Sequence, residues 1–582
     1  MPDAERRPLP PPPTDGLARP AFAIFEGGGA RGITHIGALK GLEREKIQLA
    51  GVAGSSAGAI VAALTAAGYT ADELFNASAG TDLLTGRGKT PVDLLGAAAW
   101  RDFMRLQASF NPVAAVALVV LAFIDLVAGI LVFGSAGVFV LIGLCGVSIL
   151  MFWPLLRGEL RRLLARLGLF DTNPMVAELN AILREKLRDN YRKMADAGIN
   201  PTHNAVREPP EIVTFGDLDP VAGEVEGTLR LKVVVSDLAL AGPEIFDHTT
   251  PDVAVAEAVA ASAAIPIFFE PPRIAARHGG LFADGGLVSN LPVWVFRNDR
   301  LRLERRGLAS VPTLAFKLAD PVQPLQPATG LLGPIRLHLT RTLRTGIFGS
   351  QAIVSDILPN ISVISLPSRL ETFEFDVGRA KAIAAFEDGY RATAELLGRR
   401  RIEAGLLALL LSDVRTRAMN GLPPALRGAP NRIRVYLLDP LRGRGMTVEG
   451  FRIIASAGMG EDTDGLRDID LDNPAARLGW QASGPIHIAE PLDATHGAQH
   501  NTPTEAALVW KELKSLIAVP IIDDSDGSGR RRILCIDANL DLDGLFQNKA
   551  FRDWLGQRTL LFSPRLIEEN IDELVSQDVQ DG

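Results

Sequence analysis

Residues 21–58 read AFAIFEGGGARGITHIGALKGLEREKIQLAGVAGSSAG. Ala21–Glu26 is a short apolar run of the kind that fills a buried strand, the glycine cluster Gly27-Gly28-Gly29-Ala30-Arg31-Gly32 follows at once, and Ile33–Glu45 has helical character. A strand, a glycine loop and a helix start aim several free backbone N–H groups at one point, which suits negative charge. Gly27, Gly29 and Gly32 formally match the dinucleotide pattern G-x-G-x-x-G, but that use needs an acidic residue about 20 positions on. Ile47–Ala53 (IQLAGVA) has none. Instead comes Gly54-Ser55-Ser56-Ala57-Gly58, a G-x-S-x-G turn leading into the small-residue helix Ala59–Gly68. Small residues must flank the serine if a tight strand-to-helix elbow is to present its Oγ, and the helix start beneath favours a developing alkoxide. Glycine loop and serine elbow then describe one site.

A nucleophilic serine needs a base. The chain has eight histidines, His35, His203, His248, His278, His338, His487, His496 and His500, and none stands in a convincing triad order with an acid before it. Asp284, in Phe282-Ala283-Asp284-Gly285-Gly286, is the better candidate, because two glycines after it open the loop to close approach. Read alone, an ordinary Asp-Gly turn is the better reading.

Taken in order, GGGARG, GSSAG, Ala261-Ser262-Ala263-Ala264-Ile265-Pro266 and Asp284-Gly285-Gly286 with Asn290-Leu291-Pro292-Val293 resemble the patatin-like phospholipase family. The resemblance spans residues 21–397. It implies a three-layer α/β/α hydrolase domain in which Ser56 is the nucleophile, Asp284 the proton acceptor of a Ser-Asp dyad, and the amides at Gly27, Gly28 and Gly29 the oxyanion hole. Gly32, Gly54, Gly58, Gly285 and Gly286 complete the motifs. Arg31 fills a basic position of the loop, with phosphate contact and a structural salt bridge both open. The implied chemistry is acyl transfer from a lipid ester, without metal or cofactor. An aspartate of ordinary pKa is a weak base at neutral pH, so its basicity is expected to be raised by partial burial.

Composition narrows the classes. The 582 residues carry a formal charge of −8, which argues against a nucleic-acid partner. Two cysteines, Cys145 and Cys535, exclude a disulfide scaffold and a cysteine-rich zinc module. Residues 1–20 hold the run Pro8–Pro13, broken only by Leu9, and read as a disordered proline-rich leader without signal-peptide character. Arg outnumbers Lys 49 to 11, a composition that suits a GC-rich bacterial source.

The mean hydropathy of +0.16 is high for a soluble protein. Its source is Val113–Leu156, 44 residues whose only charge is Asp125. With about 20 apolar residues per crossing, the run is long enough for two spans turning at Gly134-Ser135. Flanking Arg101, Arg105, Arg157, Arg161, Arg162 and Arg166 place both ends in the cytoplasm. The expectation is a transmembrane helical hairpin inserted in the catalytic domain between Ser56 and Asp284, in a multi-pass cell-membrane protein with cytoplasmic domains. A buried helical pair is the alternative, and Asp125 has no assigned role.

Val311–Lys317 and Ile361–Leu366 read as further strands, Asp376–Leu397 as a closing helix and Arg401–Met419 as a linker or dimer helix within a 398–430 connection. Residues 431–582 read as an α+β domain with strands at Arg432–Leu438, Phe451–Ser456, Ser515–Ile522 and Arg532–Asp537, a turn at Leu478–Gly484 and a helix over Phe546–Glu569. This part resembles a GAF-type sensor domain, which implies a regulatory role and a small-molecule effector. His487, His496 and His500 fall in a polar loop, with a metal site there as the minor reading. Three functions compete: a membrane-embedded serine lipid acyl hydrolase regulated by its C-terminal domain, a non-enzymatic membrane sensor or scaffold, and an esterase or thioesterase on a soluble acyl substrate.

Overall fold

In the computed structural model, the described residues are 9–13, 19–89, 93, 168–196, 208–218, 229–274, 280–305, 311–319, 361–372, 374, 377–428, 431–442, 447–459, 468–470, 474–489, 513–523 and 530–581. The apolar run Val113–Leu156 with Asp125, together with His203, His278, His338, His496 and His500, lies outside them. Among the described residues no helix is long and apolar enough to cross a membrane. The chain divides into two compact units, one of Leu17–Phe296 with Pro312–Thr393, the other of Ala394–Gly582 with Met1–Gly16 and Arg297–Val311.

The first unit opens with β1 (Arg19–Phe25), α1 (Gly32–Arg44), β2 (Ile47–Gly54) and α2 (Ala57–Ala66), in the order read from residues 21–58. After α3 (Asn173–Asp196) come β3 (Leu231–Asp237), β4 (Gly242–Phe246), α4 (Val255–Ser262), β5 (Phe282–Ala283), β6 (Thr313–Ala319) and β7 (Ile361–Pro367). The sheet order is β7-β6-β1-β2-β3-β4, with β5 also on β3. β7, β6, β1, β2 and β3 are mutually parallel, and β4 and β5 pair with β3 antiparallel. Ala21–Phe25 is buried throughout, as is all of β3. Because successive strand residues point to opposite faces, continuous burial means that both faces are covered, which explains unbroken apolar runs rather than alternation. From β1 the chain moves to β2 on one side, while β6 later joins β1 on the other. The glycine loop leaving β1 therefore lies at the switch point beyond the strands' carboxyl ends, where open α/β sheets bind ligands.

One helix, α5 (Arg379–Gly421), runs through the stretch read from sequence as two. Gly398 and Gly405 lower local helix propensity but bring no proline, and neither ends the helix. The described part of the leader is also not free: Pro10 and Pro13 are buried, and Arg401 donates to the Pro11 carbonyl.

The second unit adds β8 (Ile433–Arg442), β9 (Val448–Ala457), β10 (Asp468–Asp470), α6 (Pro474–Gln481), β11 (Ile486–Ala489), β12 (Ser515–Asp523), β13 (Arg530–Ala538), α7 (Asp543–Gln547), α8 (Lys549–Thr559) and α9 (Pro564–Asp581). Its antiparallel sheet runs β10-β9-β8-β13-β12-β11. Ile433, Val435, Leu437, Ile517, Leu534 and Ile536 form one core with apolar residues of α5, α8 and α9; Tyr436, Leu438, Phe451, Ala518, Ile533 and Cys535 form the other with Ala476 and Trp480 of α6. The expected turn at 478–484 thus begins inside α6, and the expected helix at 546–569 is three pieces, interrupted by the Asn548 cap and by Pro564.

Candidate active site

Ser56 sits between β2 and α2 with φ 52° and ψ −125°, a backbone region that L-residues seldom occupy. The flanking glycines make this possible by letting backbones touch. A Cβ on Gly54 would lie 2.3 Å from the Gly58 carbonyl carbon, and one on Gly58 would lie 2.1 Å from the Phe25 carbonyl oxygen. The elbow is thereby pressed against the end of β1.

A second serine holds it there. Ser262, at the end of α4, accepts a hydrogen bond from Ser56 N–H at 2.9 Å and donates to the Val234 carbonyl at 2.7 Å. Within A-S-A-A-I-P nothing local marks this role, because both of its partners come from distant strands and turns. The nearby Ser55 Oγ is buried with no hydrogen-bond partner among the described residues.

Although 228 positions apart, Ser56 and Asp284 meet: Ser56 Oγ donates to Asp284 Oδ2 at 2.7 Å. The carboxylate's Oδ1 accepts Gly286 N–H at 2.7 Å, and the backbone around it is tied by Asp284 N–H to Ala264 O (2.8 Å), Gly285 N–H to Ser262 O (3.0 Å) and Ser236 Oγ to Asp284 O (2.7 Å). A Cβ on Gly285 would lie 2.1 Å from the Val234 oxygen, so the residue after Asp284 must be glycine for β3 to pass so close. Burial pushes the Asp284 carboxyl up to about 6, against the opposing pull of the Ser56 hydroxyl and the Gly286 amide. A base with that value is half ionised near pH 6 and about nine-tenths ionised at pH 7.

The glycine loop abuts the same point, since a Cβ on Gly27 would come 3.1 Å from the Ser56 Cβ. Its three amides are not equivalent. Gly27 N–H is committed to the Asn290 carbonyl at 3.0 Å, whereas Gly28 and Gly29 N–H donate to nothing among the described residues. Gly29 has φ +57°, and a Cβ there would meet the Thr372 carbonyl at 2.1 Å, so two separate reasons demand glycine. Of the three amides expected at the oxyanion hole, that of Gly27 is thus tied to Asn290, and those of Gly28 and Gly29 are the open ones among the described residues. Ala57 N–H, first in α2, also has no partner among the described residues, a donor the sequence signals only by its place after the serine.

Beneath the loop lies a buried polar brace. Asn290 Nδ2 donates to Glu26 Oε1 and to the Gly27 carbonyl, both at 3.1 Å, and Leu318 N–H donates to Glu26 Oε2. Burial raises the Glu26 carboxyl to about 7 despite these donors and the nearby Arg31 cation. Arg31 is buried and its Nε donates to the Gly28 carbonyl at 3.3 Å, which gives it a bracing place in the loop. His35 is buried as well, with Nε2 at 2.8 Å from the Glu26 carbonyl oxygen, and burial lowers its pKa to about 4. It is a neutral packing residue edge-on to Phe25, and the serine's proton goes to Asp284 instead. His487, in the second unit, pairs with Ser515 Oγ at 3.0 Å, and no group of His, Cys, Asp and Glu among the described residues is arranged to hold a metal.

A strained serine elbow, a buried carboxylate on its hydroxyl and open amides beside it define a class: hydrolases that pass an acyl group through a serine. Residues 23–297 match the Patatin-like phospholipase family, so the chain carries a patatin-like phospholipase domain, the domain of a lipid acyl hydrolase. A Bacillus subtilis (strain 168) protein, the uncharacterized YqhO, is 26% identical over 383 residues, which cover 64% of this chain and 95% of that one. Among solved structures, VipD from Legionella pneumophila is similar at 17% identity and a TM-score of 0.32, over 72% of this chain and 81% of that one. ExoU of the Pseudomonas aeruginosa type III secretion system, solved with SpcU, is similar at 17% identity and a TM-score of 0.28, over 71% and 66%. With scores this low, the fold rests on the strand order and the family match.

Proposed function

We propose that the chain hydrolyses ester bonds of membrane lipids through a Ser56–Asp284 dyad. The observation that carries this reading is the 2.7 Å hydrogen bond from a serine on a strained elbow to a buried carboxylate. Asp284 takes the proton as Ser56 Oγ attacks the ester carbonyl, and the amides of Gly28 and Gly29 receive the developing oxyanion. The alcohol leaves with the proton, and water, activated by the same carboxylate, releases the fatty acid.

In this reading Val113–Leu156 anchors the catalytic unit in the cell membrane as a helical hairpin, with both units on the cytoplasmic side; its length and its arginine flanks are the support. The C-terminal unit acts as a GAF-like regulatory module that takes a small-molecule effector and pairs two copies of the chain. Its support is the six-stranded antiparallel sheet with helices packed on it. The decisive experiment is free fatty acid release from phospholipid liposomes by full-length protein. Wild type is expected to release fatty acid, and Ser56→Ala and Asp284→Ala to lose release by at least about a hundredfold. Equal release from all three would sink the dyad.

A further inference from the structure

The turn between β3 and β4, Leu238-Ala239-Leu240-Ala241, is apolar and solvent-facing. Leu240 is 77% exposed and Leu238 46%, and Ala239 and Ala241 are exposed with them. An exposed leucine alone needs no explanation. Here the backbone is built to hold the pair outward. Asp237 turns its carboxylate inward, where Oδ1 accepts the N–H groups of Ala239 (2.7 Å) and Leu240 (3.0 Å). Ala241 takes φ +52°, a conformation that costs free energy for any residue with a side chain. On the other side Leu238 N–H bonds to the Leu281 carbonyl at 2.9 Å, which fixes the turn to the segment that leads through β5 into Asp284.

The turn's location gives these leucines a use. β3 runs parallel to β2, so its carboxyl end leaves the sheet at the edge where β2 delivers Ser56. Val234 stands beside the elbow through Ser262, and Ser236 bonds to the Asp284 carbonyl. Ser236 is level with Ala283, next to Asp284, so the two residues from Ser236 to Leu238, at about 3.3 Å each, carry the turn roughly 7 Å beyond the carboxylate end of the dyad on that edge.

We propose that Leu238–Ala241 is an interfacial tip that inserts its leucines among the acyl chains of the bilayer and holds the dyad's edge of the sheet against the lipid surface. The occupant is a lipid surface rather than a protein groove. A hydrolase of membrane lipids must bring this edge to the bilayer, and the segment between Asp237 and Glu244 contains no charge that would resist insertion. The inference rests on the acyl-hydrolase reading for its use, though not for its measurement.

The test uses the full chain with Cys145→Ser, Ser56→Ala and Leu240→Cys, an environment-sensitive fluorophore on the new cysteine, and phosphatidylcholine vesicles containing a doxyl-labelled lipid; Cys535 is buried and stays unlabelled. Quenching by the labelled lipid is expected. In the otherwise wild-type chain, Leu238→Ser with Leu240→Ser should lower fatty acid release from vesicles by about tenfold or more and leave hydrolysis of a water-soluble short-chain ester within about twofold. No quenching overturns the proposal, and so does a double variant that works on vesicles at the wild-type rate. Quenching in a protein whose wild type releases no fatty acid would leave the tip standing and reject the hydrolase reading.

Discussion

Replacing Asp284 by Asn is expected to make the protein more stable while abolishing its activity, and the gain should appear only at higher pH. The carboxyl titrates at about 6 when folded because burial disfavours its charge, against an ordinary value near 4. Between those values the native state holds a proton that the unfolded chain has released, so stability falls as pH rises from about 4 to 6 and stays reduced above. Two pKa units at ~1.4 kcal/mol each put the cost of the ionised carboxylate at about 3 kcal/mol at pH 8. An amide has the same shape and no charge. Its oxygen keeps the Gly286 N–H bond, and its NH2 group replaces the acceptor facing Ser56 Oγ with a donor. Thermal unfolding of wild type and Asp284→Asn at pH 4 and pH 8 should therefore give coincident midpoints at pH 4 and a higher midpoint for the variant at pH 8, with fatty acid release down by about a hundredfold or more. An equal difference at both pH values would refute the account, since a packing effect has no reason to titrate. Full activity in the variant would remove Asp284 from the chemistry.

Three further outcomes are expected. The kcat/KM of wild type should rise with pH through an apparent pKa of about 6, the value at which Asp284 becomes a base, and a profile with no ionisation above about pH 5 would contradict the assignment. Ser262→Ala, which strips Ser56 N–H and the Val234 carbonyl of their shared partner, should cost about 1–3 kcal/mol in unfolding experiments and lower kcat more than it raises KM, because it loosens the elbow without touching substrate. In the second unit, Arg434 and Asp537 form a buried bidentate pair at 2.9 and 2.6 Å; denaturant titration should show Arg434→Ala destabilising by about 3–5 kcal/mol, and Arg434→Met with Asp537→Leu recovering most of it.

The local signals were strong where chemistry constrains the backbone. Gly54 and Gly58 are legible because no side chain fits where carbonyls approach to about 2 Å, and Gly29 because its φ is positive as well. The strand at Ala21–Glu26 was legible because a parallel strand buried on both faces is apolar without alternation. The signals were weaker where packing decides. Nothing local marks the end of a helix at residue 397, and α5 continues to Gly421 because Leu407, Leu411, Val414 and Ala418 on its later turns bury against the second unit's own sheet. The turn expected at 478–484 failed for the related reason that Trp480 packs on the second unit's sheet as part of α6, whereas the single helix expected at 546–569 is broken by local signals, the Asn548 cap and Pro564.

The two halves of the site, a serine flanked by obligatory glycines and an aspartate followed by two more, are legible in the order of residues alone, since each half is a backbone constraint that only certain residues satisfy. That they meet is a property of the folded chain, because the 228 positions between them are closed by strand order and not by any local pattern. The folded chain also decides which amides stay open. Gly27 and Gly28 look alike in a run of three glycines, yet Asn290, 263 positions on from Gly27, takes the N–H of one of them.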